Sequence, residues 1–175
     1  MDDARGGTGE PAAWVWRFHL GEASVTGTGR FEVRRGRRRL ARLAATLLHL
    51  PEQGRDVPVR AAIERNGARE VWTRTFGSRT YTSRHERHGT RVLERLGPLE
   101  LRFRVSADGD CVRFQQEGVG VRAAGLRVGL PARLGPRVRA YAEGRGQRPF
   151  FVRVEVSAPL AGDLLSYWGR LTEEK

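Results

Sequence analysis

The sequence predicts a mainly β domain with minor α content: an antiparallel curved sheet or barrel of about eight or nine strands, with one amphipathic helix inserted early. Three observations carry this prediction. Apolar residues alternate with period two over most of the chain after Asp56, glycine turns break that alternation at short intervals, and only one stretch shows the 3.6-residue spacing of an amphipathic helix.

Residues 1–11 are acidic, glycine-rich and polar, and read as a disordered leader; residues 12–175 read as a single β-rich domain. Trp14 to Leu20 is an aromatic stretch compatible with either a helical turn or an edge strand. Ala23 to Arg34 reads as a β segment in which Gly27 and Gly29 suggest a bulge or bend. From Arg37 to Leu50, residues Leu40, Leu43, Ala44, Leu47 and Leu48 recur at the spacing of one buried helical face, and Pro51 ends the helix.

Val57, Val59, Ala61 and Ile63 then fall on one side of a strand, with Arg60 and Glu64 on the other. Asn66-Gly67 is a strong hairpin signal because its turn needs positive φ, and Glu70 to Phe76 forms the returning strand. Gly77-Ser78, His88-Gly89, Gly97-Pro98 and Asp108-Gly109 punctuate further strands. Leu99, Leu101, Phe103 and Val105 alternate cleanly. Gly118 to Pro136 reads as strand broken by loop. Phe150, Val152, Val154 and Val156 then face one way, and Leu164 to Leu171 closes the fold. In a barrel, the helix would plug or cover one mouth.

At 175 residues the chain can bury a core without disulfides or metal. Cys111 is the sole cysteine, which excludes an internal disulfide and fits a reducing, cytoplasmic compartment. Leu40 to Leu50, the most apolar stretch, is far shorter than the roughly 20 residues of a membrane span. The formal charge of +12 suggests an anionic partner. Against this, nearly all the basic residues are arginines, Lys175 is the sole lysine, and the richness in Ala, Gly and Arg is also what a GC-rich coding bias produces.

Asp56-Val57-Pro58-Val59, Glu64-Arg65, Glu70, Trp72, Arg74, Phe76 and Gly77 resemble the domain-of-unknown-function family 4166. Glu94-Arg95-Leu96-Gly97-Pro98-Leu99, Leu130-Pro131 and the ending from Val154 to Leu171 resemble the same family, so the likeness runs from about Gly21 to Thr172. It implies a bacterial protein that stands alone or beside a nucleotide-dependent reductase-like domain. It implies no reaction and carries over no catalytic residue, because the shared positions are mostly turn and core residues.

The residues carry no motif for catalysis, metal or cofactor. His85 and His88 are an odd number of positions apart on a strand and face opposite sides; the reading of this cluster is a solvated strand end. There is no G-x-S-x-G elbow, P-loop or dinucleotide fingerprint. The expectation is a non-catalytic domain that binds an apolar small molecule or a protein partner. The alternatives are a substrate-binding accessory domain of a reductase-type system, or binding of an anionic ligand or nucleic acid through the arginine-rich face. Trp72, Arg74, Tyr81 and Tyr167 are the candidate ligand-binding residues, and Arg37, Arg38, Arg39 and Arg42 the candidate anion-binding ones. Trp72, Phe76 and Tyr81 interleaved with arginines could stack nucleic-acid bases. Arginines alternating near Glu64, Glu70, Glu86, Glu94 and Glu100 equally suit the wet face of a sheet. Aromatics including Trp14, Trp16, Phe18 and Trp168 could line a pocket or fill a core.

Overall fold

In a computed structural model that describes residues 13–131, 133–144 and 149–174, the alternating segments form one continuous antiparallel sheet. The helix α1 (Ala13–Leu20) precedes β1 (Val25–Arg35), α2 (Arg39–Leu47), β2 (Gly54–Asn66), β3 (Arg69–Phe76), β4 (Arg79–His88), β5 (Arg91–Leu96) and β6 (Leu99–Asp108). The chain continues through β7 (Cys111–Ala123), β8 (Leu126–Leu130), β9 (Arg137–Glu143), β10 (Phe150–Ala158) and β11 (Gly162–Glu173). The expected leader lies outside the described residues.

The strands run in the order β6-β5-β4-β3-β2-β1-β11-β10-β9-β7, and β7 pairs back onto β6, which closes a barrel of ten strands and leaves β8 as one extra. The count exceeds the expected eight or nine because the Gly118 to Pro136 stretch supplies both the end of β7 and the whole of β8. β9 pairs with Cys111 to Gln115 of β7, and β8 with Val119 to Ala123, so one long strand serves two partners on the same side. Closure leaves the barrel strands without bare edges.

The predicted turn glycines behave as expected. Gly67, Gly77, Gly89, Gly97 and Gly109 all have φ between +53° and +59°, the left-handed region that costs glycine little. Gly27 and Gly29 do something else. The irregularity in β1 against β2 falls between Phe31 and Val33 instead, and the glycine at 29 permits close approach: a Cβ there would lie 2.0 Å from the Arg170 carbonyl oxygen on β11.

Two helices accompany the barrel where one was expected. α1 settles the ambiguous aromatic stretch as a helix, and it is α1 that plugs a mouth. Its final carbonyls lack intrahelical donors, and two barrel arginines supply them. Arg65 donates to the Phe18 carbonyl and to that of Ala23 just beyond the helix, each at 2.5 Å, and Arg87 donates to Leu20 at 2.9 Å and His19 at 3.0 Å. Cations also suit the negative end of the helix dipole. This clamp drives Val15, Phe18 and His19 into the core.

α2 lies at the opposite end and packs on β1 and β11. Its buried face is not the expected leucine face: Ala41 and Ala45 are fully buried, whereas Leu40, Leu43 and Leu48 are 55%, 57% and 41% exposed. The reason is closeness of backbones. A Cβ on Gly36 would lie 1.7 Å from the Asp163 carbonyl and 2.8 Å from the Ala41 Cβ, so only small residues fit at this contact. Leu47 and its side-chain setting fall outside the described side chains.

Candidate functional site

Inward-facing positions of a barrel either fill it or enclose a space. Here they enclose one. A cavity of about 190 Å³ runs through the interior between Phe18 and His19 of α1 and Leu48 and Leu50 after α2. Its walls are mostly apolar side chains, among them Phe31, Leu101, Phe103, Val138 and Val154. Val152, Val154 and Val156 pack against the core yet remain only half-buried, with part of each side chain lining the cavity.

One part of the wall is polar. Period two carries Trp72 and Arg74 on β3, then Tyr81, Ser83 and His85 on β4, into the interior, and Glu94 on β5 joins them. Arg74 Nη1 donates to Ser83 Oγ at 3.0 Å and lies 3.7 Å from Glu94 Oε1. His85 Nε2 meets both Glu94 Oε1 and Ser83 Oγ at 3.1 Å. The Trp72 and His85 rings stack at 4.8 Å with planes 11° apart, and the Arg74 guanidinium lies 4.7 Å from the Trp72 ring centre. Tyr81 and Tyr167 bring their hydroxyls to 3.5 Å.

The electrostatics follow from burial and neighbours. Burial alone would raise the Glu94 carboxyl, but His85 and Arg74 beside it outweigh that and hold it down to about 2. Burial raises both tyrosines, so their hydroxyls stay protonated donors. His19, at the α1 end of the cavity, donates from Nδ1 to the Val15 carbonyl at 3.0 Å, and burial depresses it to about 4. Its ring therefore stays neutral.

Ser83, His85 and Glu94 invite comparison with a nucleophilic triad, and the geometry argues against it. A triad needs the serine and the acid on different imidazole nitrogens. Both partners meet Nε2 here, and Arg74 already donates to the serine. Among the described residues, no three His, Cys, Asp or Glu side chains converge as metal ligands.

A family of domains of unknown function, DUF4166, matches residues 12–171 of the chain. The chain belongs to this family. No curated protein matches it. A solved structure from Nostoc punctiforme, a protein of unknown function from the DUF3598 family, shares 13% identity with a TM-score of 0.47. That comparison covers 87% of this chain and 47% of the other, so the chain spans about half the length of the structure it matches.

In this DUF4166 domain, all four candidate ligand residues, Trp72, Arg74, Tyr81 and Tyr167, line the same cavity. The candidate anion residues do not reach it. Arg37, Arg38, Arg39 and Arg42 are exposed at the start of α2, where Arg38 donates to the Leu160 carbonyl at 3.4 Å. Three expectations about orientation are corrected. Trp72 and Phe76 are 5% and 3% exposed and so form no surface stacking platform. Glu70 and Glu94 face inward, and Glu100 is buried under Arg95 and Arg127, so these carboxylates are not on a wet face. His85 is buried, while His88 is exposed as at a solvated strand end. Trp168 faces outward beneath Arg34 and Arg153. The side chains of Trp14 and Trp16 lie outside the described residues.

Sequence reading missed Ser83, His85, Glu94 and His19. The signal was present in the register: once Tyr81 is placed inside, period two places Ser83 and His85 inside as well. Polarity hid it, because charged residues are expected outside unless paired.

Proposed function

We propose that this domain is a non-catalytic binding module that holds one small apolar molecule inside its barrel. The apolar cavity of about 190 Å³ is the observation that supports this reading. An apolar protein cavity of roughly 150 Å³ accommodates benzene, and drug-sized ligands occupy roughly 300–1,000 Å³. The size therefore favours a single ring or a short chain. Where the domain works beside a reductase-like partner, as its resemblance suggested, the bound molecule would be that partner's substrate. A reducing cytoplasmic setting, in keeping with the lone Cys111, belongs to the same proposal.

Methyl NMR during titration with toluene tests the reading. Saturable shifts centred on Val152, Val154 and Val156, lost in a Val154→Phe variant that fills the space, are expected. Shifts that never saturate, or that scatter over the surface, would refute it.

A further inference from the structure

The polar part of the cavity wall includes hydrogen-bond donors that its own acceptors do not engage, chiefly on Arg74. Among the described residues, Arg74 makes one hydrogen bond, to Ser83, and its contact with Glu94 at 3.7 Å is too long to be another. Arg74 lines the cavity, so its remaining guanidinium N–H groups belong to the cavity wall. Tyr81 and Tyr167 can use only one O–H between them in their mutual contact, which leaves the other without an acceptor among the described residues. Buried donors in native proteins are nearly always satisfied, by protein, water or ligand. Arg74, Tyr81 and Tyr167 present their unengaged donors to the cavity that would take the ligand.

Charge then narrows the chemistry. Glu94 opposes the charge of Arg74 without occupying its donors, because the side chains that hydrogen-bond it are His85 and Ser83. The pair is already compensated. A ligand with its own negative charge would lie against Glu94 across Arg74 and bring an uncompensated charge into an apolar chamber, which is costly. A neutral oxygen would fill the same donors with no such penalty.

We propose that the occupant carries a neutral carbonyl oxygen, as in a ketone, aldehyde, ester or amide, which seats on Arg74 and the Tyr81–Tyr167 hydroxyls while its hydrocarbon part lies against the valine wall. This rests on the apolar-cavity reading and adds the head group to it.

Acetophenone, ethylbenzene and benzoate are matched in ring and differ in head group, so calorimetric titration of the full chain with all three separates the two readings. Acetophenone is expected to bind, benzoate more weakly, and Arg74→Met to lower the ratio of acetophenone to ethylbenzene affinity by roughly tenfold or more. Tyr167→Phe keeps the ring and removes one donor, and is expected to lower the same ratio by a smaller factor. It also serves if Arg74→Met fails to fold. The infrared carbonyl stretch of bound acetophenone should move to lower frequency in the wild type and recover in the variants. An unchanged ratio, or benzoate as the tightest ligand, would overturn the carbonyl assignment and leave the apolar cavity standing. Failure of all three to bind would overturn both.

Discussion

Glu70 and Arg65 form a nearly sealed ion pair, 3.1 Å apart, with side chains 5% and 1% exposed. Glu70 also accepts from Trp72 Nε1 at 2.7 Å and from Arg87, so one carboxylate holds both arginines that cap α1 and one wall of the cavity. Removing a single partner of a buried pair strands the other charge, which costs about 3–5 kcal/mol. Glu70→Ala should show a loss of that size in urea denaturation, together with proteolytic release of α1. Glu70→Gln, which retains an acceptor oxygen, should lose less.

His19 makes stability depend on pH. Its folded-state value of about 4 lies below the ordinary 6.5, so between these limits the unfolded chain binds more protons than the folded one. Stability is therefore greatest above pH 6.5 and falls as pH drops toward 4, by at most about 3 kcal/mol. Glu94, depressed from 4.5 to about 2, removes stability over the next interval down. Thermal melts from pH 8 to pH 2 should show both declines. His19→Phe should flatten the segment between pH 6.5 and 4 and leave the lower one.

The orientation of α2 is testable with one pair of substitutions. Leu43→Gln, at an exposed position, should change stability by no more than about 0.5 kcal/mol. Ala45→Leu, at a fully buried one, should cost about 1–3 kcal/mol by overpacking. The reverse order would restore the leucine face as the buried one.

Gly29→Ala should destabilise by more than about 2 kcal/mol, because its Cβ would lie 2.0 Å from the Arg170 backbone oxygen, which no side-chain movement relieves. Gly67→Ala meets nothing within 4 Å and should cost only the strain of positive φ. Chemical denaturation of the two variants separates close approach from turn conformation.

Much of the architecture was legible in the residues. Alternation identified Val57 to Ile63 and Phe150 to Val156 as strands with a defined inner face, and five glycine turns set most of the hairpins, because both signals are local. α2 shows where such reasoning stops. Its leucines mark an apolar stripe, but which part of the stripe is covered depends on how closely Gly36 and Asp163 let the backbones approach.

The cavity wall divides in the same way. The sequence by itself determined an antiparallel β fold with Arg74 and Tyr81 among its candidate ligand residues, since residue type and periodicity are properties of neighbours along the chain. Only the tertiary structure decided that the barrel is hollow, that α1 plugs one end, and that His85, Glu94 and Tyr167 share the cavity wall with Arg74. Those facts depend on closure between β6 and β7 and on ion pairs between distant strands, and a charge is kept inside a barrel only by partners that folding brings to it.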